Sequence, residues 1–227
     1  MLSTAPGSLV DIPVVLLDLD GTLVDSGPGI LDGLAHAFAI CGEPLPEPEV
    51  LRTFIGPPLS SSFRGTLGLS AERSEQLRLA YAAHYRAHGL LDAPPYPGIP
   101  ELLDELAEAG RTLAIATNKP ETTARRLLEH QGLADRFAVI GGTDRASGRN
   151  DKSAVIGSVL ERLDLANAPQ SRTGTVMIGD RIHDAEGAAE HGILALLVGW
   201  GYGGPLEQAA DLPRVATVAE LSALMLG

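Results

Sequence analysis

The chain has 227 residues, a formal net charge of −12 and a single cysteine. An acidic chain is a poor ligand for nucleic acid polymers, because contacts to a phosphate backbone need a basic surface. One cysteine cannot form an internal disulfide, which favours a reducing, cytoplasmic environment. Because no apolar run is long enough to span a bilayer, we expect no membrane association. These properties favour a small-molecule ligand, and a phosphorylated one is allowed if a metal and a few cations reverse the local field.

A polar tail at residues 1–11 is predicted to precede the first strand, Val14–Leu17, where four aliphatic residues form a short apolar run. Such a run is typical of a parallel-sheet strand that is buried on both faces. Asp18 and Asp20 follow directly. Side chains two residues apart on an extended chain point the same way, so these carboxylates converge. The pair indicates a metal site, a nucleophile beside an acid, or a solvated polar turn.

The next stretch of the chain is helical in pattern. Apolar residues recur at helical spacing and predict helices over residues 30–41, 50–54, 59–67 and 71–88, with no convincing strand among them. A proline-rich segment at 92–98 then leads the chain back. We therefore expect an all-helical cap domain at residues 26–93, inserted into a core made of residues 1–25 and 94–227.

Beyond residue 98, predicted strands alternate with predicted helices. The strands fall at residues 111–116, 137–140, 175–178, 193–198 and 215–216, and the helices at 99–109, 120–130, 151–163, 182–191 and 218–226. This alternation predicts an α/β fold, with a Rossmann-like parallel sheet covered by helices on both faces. Ligands of such sheets bind beyond the carboxyl ends of the strands.

Polar residues follow three of these strands where each strand ends. They are Asp18 and Asp20, Thr117 and Asn118, and Asp180 and Asp184. In a parallel sheet all three sets gather at one edge. Lys152 lies at a predicted helix start, where a cation opposes the helix dipole at a cost of a few tenths of a kcal/mol. An anionic neighbour would offset that cost, so we expect Lys152 to join the same edge.

Two other patterns favour structural roles. Gly199–Gly204 matches the GxGxxG spacing of dinucleotide-binding loops, but Pro205 follows at once and too little chain remains for a βαβ unit. We expect a flexible loop beside the site. His84 and His88 are four residues apart on a predicted helix and could share a metal, although their position on an apolar stripe favours packing.

These motifs together resemble the phosphatase branch of the haloacid dehalogenase superfamily. The matching strings are Asp18-Leu19-Asp20-Gly21-Thr22-Leu23-Val24, Ala116-Thr117-Asn118, Lys152 at a helix start, and Gly179-Asp180-Arg181-Ile182-His183-Asp184. The helical block corresponds to the family's cap. The string Phe54-Ile55-Gly56-Pro57-Pro58-Leu59 is similar to the cap loop of bacterial phosphoglycolate phosphatases and 5′-nucleotidases.

The resemblance implies a role for each residue at the predicted sheet edge. Asp18 is the expected nucleophile, Mg²⁺ the expected cofactor, and Asp20 the expected acid and base. The cation would be held by Asp18, Asp180 and the backbone carbonyl of Asp20, with Asp184 holding a metal-bound water or orienting Lys152. Thr117 and Asn118 would bind phosphate oxygens, and Lys152 would neutralise the nucleophile and the phosphate.

The expected function is Mg²⁺-dependent hydrolysis of a small phosphorylated metabolite, such as phosphoglycolate or a nucleoside 5′-monophosphate, through an aspartyl-phosphate. Sugar phosphates and phosphotyrosine stay open as substrates. Candidate substrate residues in the cap are Gly56, Pro57, Ser60, Arg64, Tyr81 and Arg86. Arg64 is the expected ligand of a second anionic group. The alternatives are a sugar phosphomutase on the same core and a non-catalytic binding or regulatory protein. We expect a monomer or a weak dimer.

Overall fold

A computed structural model of the protein describes residues 9–166 and 173–227. Most of the predicted polar tail lies outside them. The strands are β1 (Val14–Leu17), β2 (Thr112–Pro120), β3 (Val139–Thr143), β4 (Thr175–Gly179), β5 (Leu194–Val198) and β6 (Arg214–Val215). The helices are α1 (Gly27–Cys41), α2 (Pro48–Arg52), α3 (Leu59–Gly65), α4 (Ala71–His84), α5 (Ile99–Glu108), α6 (Glu121–His130), α7 (Lys152–Arg162), α8 (Ile182–Glu190), α9 (Pro205–Ala209) and α10 (Val218–Leu226). None of the described helices combines the length and the apolar character needed to cross a membrane.

The strands form one parallel sheet in the order β3-β2-β1-β4-β5-β6. This confirms the predicted α/β fold. β1 lies between β2 and β4, and Leu17 is opposite Ile115 on one side and Ile178 on the other. The carboxyl ends of these three strands are therefore neighbours, and residues that follow them share one edge of the sheet.

Alternate side chains of β1 enter two separate apolar layers, which is why the whole strand is apolar. Val15 and Leu17 belong to the larger layer, with residues of α5, α6, α10 and the helical insertion. Val14 and Leu16 face the second layer, built largely from α7 and α8. The sheet is thus covered on both faces.

The helices α1–α4 lie between β1 and β2 in the chain and have an aromatic centre of their own. Phe63 packs edge-to-face against Phe38 and Phe54, with ring centroids 5.9 and 5.8 Å apart. The two chain segments that enter and leave this helical block run side by side. The Asp25 N–H donates to the Pro94 carbonyl at 2.9 Å, and Val24 forms an antiparallel bridge with Pro95.

Three of the element ends that differ from the predictions lie near the sheet edge or the turn that follows α4. α4 ends at His84 and a π-helical turn, Tyr85–Gly89, replaces its predicted last turn, with the Leu90 N–H donating to the Tyr85 carbonyl at 2.7 Å. β2 runs to Pro120 instead of Ala116, because Pro120 stays extended and α6 begins after it. β3 runs to Thr143 instead of Ile140, since its two glycines pack where side chains would not fit.

We predict that Gly29→Ala destabilises the protein. A Cβ at residue 29 would lie 2.6 Å from the carbonyl oxygen of Gly89, so the backbone of α1 or of the π turn must move. Overpacking of this kind costs about 1–3 kcal/mol. The free energy of unfolding, measured in denaturant, should fall by that amount. In the matched control Gly65→Ala, a Cβ meets nothing within 4 Å, and an unchanged or higher stability is expected. Equal effects of the two changes would contradict the close approach.

Candidate active site

The segment after β1 places two carboxylates at the sheet edge and then turns sharply. The Asp18 N–H still donates to the Ile178 carbonyl of β4 at 2.9 Å, so the sheet holds the backbone from which the first carboxylate projects. Gly21 follows in the left-handed region, with φ of 83°. A Cβ there would lie 2.3 Å from Oδ2 of Asp180. Only glycine suits both the turn and the close approach to the second acidic strand end.

Three buried carboxylates meet at this edge: Asp18, Asp180 and Asp184. One ligand oxygen from each lies within 4.8 Å of the others. Burial, with the charges of Asp184 and Asp18, raises the pKa of Asp180 well above its usual range. Its Oδ1 is buried and has no hydrogen-bond partner. Converging oxygens, mutual repulsion and an orphaned acceptor fit a hard divalent cation, which takes oxygen ligands.

Lys152 offsets part of this negative charge from the opposite side. Its Nζ lies 2.7 Å from Oδ1 of Asp18, 2.6 Å from Oδ1 of Asp184 and 2.8 Å from the Ala116 carbonyl, so all three ammonium protons are used. Burial alone would lower the pKa of Lys152, but the charges of Asp18 and Asp184 outweigh burial and raise it. The anionic neighbour expected at this helix start is therefore present.

The pKa of Asp18 is shifted in opposite directions by its surroundings. Burial raises its pKa to about 6, Lys152 opposes that shift, and the charges of Asp184 and Asp20 add to it. Asp184 is held at its other oxygen by the Arg181 N–H at 3.0 Å. One Asp184 oxygen therefore pairs with Lys152 and the other accepts from the backbone, so Asp184 links the lysine to the start of α8.

Lys119 is a site residue that the sequence reasoning did not assign. It is buried, and its Nζ lies 2.7 and 2.8 Å from the two carboxylate oxygens of Asp20 and 3.0 Å from the Tyr85 hydroxyl. The charge of Asp20 raises the pKa of Lys119 although burial opposes it. A signal was present: Lys119 and Lys152 are the only lysines in the chain, and both adjoin recognised motifs.

The predicted phosphate-binding residues of β2 lie where they were expected. Thr117 is buried, and its Oγ1 accepts from the Lys119 N–H at 3.2 Å. Asn118 donates from Nδ2 to the Gly56 carbonyl at 3.3 Å. The contact between Asn118 and Gly56 joins the core to the loop before α3. Arg181 makes a second contact to this loop, donating from Nη1 to the Ile55 carbonyl at 3.0 Å.

A cavity of about 630 Å³ opens beside Asp20, between the helical block and the core. Five of the predicted cap residues line it: Gly56, Pro57, Ser60, Tyr81 and Arg86. Arg64 does not line it and is exposed. The expectation that Arg64 binds a second anionic group of the substrate stays a prediction, although α3 turns Ser62 and Phe63 inward and not Arg64. Two arginines that sequence reasoning did not assign, Arg78 and Arg145, lie at the cavity wall instead.

The glycine-rich loop at 199–204 supports the acidic cluster. The Tyr202 N–H donates to Oδ2 of Asp180 at 2.6 Å, and the Tyr202 hydroxyl donates to Oδ1 of Asp25 at 2.5 Å. The Trp200 indole donates to the Thr22 carbonyl at 3.1 Å. The loop lies beside the site as predicted, but these bonds fix it to Asp180 and to the segment that enters the helical block.

Known proteins resemble the chain over most of its length. A family model described as haloacid dehalogenase-like hydrolase matches residues 15–198. The tyrosine-protein kinase PtkA of Mycobacterium tuberculosis is 41% identical over 201 residues, which are 88% of this chain and 66% of PtkA. The chain thus spans less than two thirds of that relative's length.

Other relatives are covered more fully. A 5′-nucleotidase of Pseudomonas aeruginosa is 36% identical over 212 residues, 93% of each chain. A phosphoglycolate phosphatase of Rhodospirillum rubrum is 33% identical over 92% of this chain and 88% of its own. The structure of a haloacid dehalogenase-like hydrolase, SP0104 of Streptococcus pneumoniae, has a TM-score of 0.83 at 32% identity and covers 94% of this chain and 98% of its own.

We predict that Mg²⁺ stabilises the fold more at neutral than at acidic pH. Burial raises the pKa of Asp18 to about 6, so ionisation of Asp18 destabilises the metal-free fold as the pH rises above the unfolded pKa, and this cost is complete above about pH 6. The raised pKa of Asp180 adds a cost of the same sign. A cation removes the cost, whereas protons compete with it at lower pH. At 100 times the dissociation constant the gain is about 2.7 kcal/mol.

Thermal unfolding with Mg²⁺ or with EDTA, at about pH 7.5 and about pH 5, measures this difference. Asp180→Asn should abolish the shift. Asp104→Asn, which changes a carboxylate at the surface, should keep it. A shift that is equal at both pH values would contradict a cation among these carboxylates.

Proposed function

This chain belongs to the haloacid dehalogenase-like hydrolase family, and on that premise we propose that it is a Mg²⁺-dependent phosphomonoesterase. The observation that carries the proposal is the position of Asp18. It lies at the sheet edge, with Lys152 2.7 Å away and the two further carboxylates of the cluster beside it. A catalytic carboxylate in such a setting can attack phosphorus and form an aspartyl-phosphate, which divides one difficult hydrolysis into two steps.

Asp18, Asp180 and the Asp20 carbonyl are the groups proposed to hold Mg²⁺, with Asp184 beside them. When bound, the cation supplies positive charge that neutralises the phosphoryl oxygens as the bond to the leaving group breaks. The protein's own cation, Lys152, contributes at the nucleophile. Asp184 keeps the ammonium group against Asp18 by accepting from it at 2.6 Å.

Asp20 is the proposed acid and base. Both of its oxygens accept from Lys119 in this structure, so the lysine fixes the orientation of the carboxylate. In the second step a base must take a proton from the attacking water, and Asp20 is the group proposed for it. In the first step the same carboxyl group gives a proton to the leaving alkoxide, and the Lys119 contact then has to loosen. Thr117 and the Asn118 backbone are the proposed phosphate ligands.

The cavity supports a substrate with a sizeable leaving group. Its volume of about 630 Å³ falls in the range of sites that take drug-sized ligands. Phosphoglycolate would occupy only a small part of it, whereas a nucleoside 5′-monophosphate would fill more. Arg78, Arg86 and Arg145 supply positive charge along the wall. We therefore place a nucleoside 5′-monophosphate first and phosphoglycolate second.

A second candidate is phosphoryl transfer at a tyrosine side chain. The relative with 41% identity is named a tyrosine-protein kinase. The cavity has the aromatic side chains Phe54, Tyr81 and Tyr85 in its lining, against which a phenol ring could pack. This candidate predicts turnover of phosphotyrosine, or transfer from ATP to a tyrosine peptide, where the first predicts hydrolysis of small phosphate esters.

We expect phosphate release from small phosphate esters in the presence of Mg²⁺ and loss of that release in EDTA. A panel of nucleoside 5′-monophosphates, phosphoglycolate, sugar phosphates and phosphotyrosine measures it, with ATP plus a tyrosine peptide as a separate arm. Activity that is unchanged by EDTA would overturn the metal assignment. Retention of the phosphate on a sugar bisphosphate would indicate a phosphomutase, and no turnover of any member would favour a non-catalytic protein.

Asp18→Asn should abolish phosphate release and leave the fold intact. The amide keeps the shape of the carboxyl group but cannot attack phosphorus, so kcat should fall by about 10³-fold or more. The burial that raises the Asp18 pKa also means that a neutral side chain is tolerated there. Asp104→Asn at the surface is the control and should keep full activity. Turnover near that of the unmodified protein in Asp18→Asn would remove the nucleophile assignment.

A cytoplasmic location and a monomeric or weakly dimeric state stay predictions from the sequence.

A further inference from the structure

Three of the six histidines of the chain lie together, away from the catalytic carboxylates. His36 of α1 stacks on His84 of α4, with ring centroids 4.0 Å apart and planes at 22°. The ring centroid of His88 lies 4.7 Å from that of His84. Asp32 completes the group, with Oδ2 2.7 Å from Nε2 of His84. We refer to these four residues as the histidine cluster.

The cluster consists of two pairs on facing helical segments. Asp32 and His36 are four residues apart on α1, and His84 and His88 are four apart across the end of α4 and the π turn. Residues at this spacing share one helical face. The segments approach closely because Gly29 and Gly89 let their backbones touch. Four potential ligands are thus presented from two elements, so that a bound ion would join them.

The donor set differs in kind from that of the active site. Imidazole nitrogens with one carboxylate oxygen are ligands that Zn²⁺ prefers, in a tetrahedral arrangement of four. The catalytic carboxylates offer oxygens alone, which suits Mg²⁺. The chain therefore has an oxygen-only site that suits a hard cation and, apart from it, a nitrogen-rich cluster that suits a softer one.

Exposure shows how the cluster can rearrange around an ion. The Asp32 side chain is 67% exposed and that of His84 is 17% exposed, while His88 is exposed and His36 is half-buried. Within the described residues, only the three catalytic aspartates already form a converged set of three or more ligand atoms. Coordination at the cluster therefore requires the stacked rings of His36 and His84 to separate and the exposed Asp32 and His88 to rotate towards them.

We propose that the histidine cluster is a Zn²⁺ site that ties α1 to the end of α4. Tyr85 directly follows His84, and its hydroxyl accepts from Lys119 in the catalytic pocket. A cation at the cluster would thus hold the segment that touches the partner of Asp20. The site is independent of the proposed phosphatase activity, since none of its four residues lines the catalytic cavity.

Zinc binding to the full chain, measured by calorimetry in excess Mg²⁺, tests the proposal. Magnesium occupies the aspartate site, so the remaining zinc equivalent reports on the cluster. We expect one equivalent in the unmodified protein and none in His84→Ala. His88→Ala should weaken binding by at least about 10- to 100-fold, the loss seen when even an outer partner of a metal ligand is removed. His88 is exposed, so this second variant should keep its fold.

His130→Ala changes an exposed histidine at the end of α6 and should bind zinc like the unmodified chain. Co²⁺ in place of Zn²⁺ should give the visible absorption of a tetrahedral site in the unmodified protein and in His130→Ala, and not in His84→Ala. Equal zinc binding by all the variants would overturn the proposal. Zinc binding that appears only when Mg²⁺ is withheld would overturn it too, since the zinc would then lie at the aspartates. Neither result depends on phosphatase activity.

Discussion

The candidate active site depends on four carboxylates that lie close together and are largely shielded from water. They belong to Asp18, Asp20, Asp180 and Asp184. Asp18, Asp180 and Asp184 repel one another there, and burial makes each charge more costly. Two lysines offset this negative charge in different ways. Lys152 joins Asp18 to Asp184, and Lys119 binds both oxygens of Asp20. Asp180 has no lysine partner, and its orphaned oxygen is where we propose that a cation from solution binds.

Much of this could be predicted because it follows from local pattern. A four-residue apolar run identifies a two-faced buried strand, and acids that follow parallel strands must share an edge. Asp18, Asp180 and Lys152 were found in that way. Lys119 was not, because its role depends on a contact across 99 residues of chain, to Asp20. Arg64 was expected at the substrate but lies exposed outside the cavity, since the face that a short helix turns to a cavity depends on packing and not on spacing alone.

Local signals also failed where backbone geometry departs from regular elements. The π turn at Tyr85–Gly89 follows a helical pattern in sequence, but it widens the last turn and brings the Tyr85 hydroxyl to Lys119. The extension of β2 to Pro120 likewise places Lys119 on a strand, where the sequence predicted the connection between a strand and a helix. Both irregularities occur where the helical block meets the core, and both help to place Lys119 and its partner Tyr85.

The side-by-side crossing of the chain at Asp25 and Pro94 has a consequence for the history of the fold. The segments that enter and leave the helical block are joined by backbone hydrogen bonds. The block is therefore attached to the core in the way that a single loop between β1 and β2 would be. Helices can be lengthened, exchanged or lost between these two points without any strand of the sheet changing its neighbours. A core of this kind can keep one chemistry while its helical block is replaced, and substrate choice can change without rebuilding the carboxylate site.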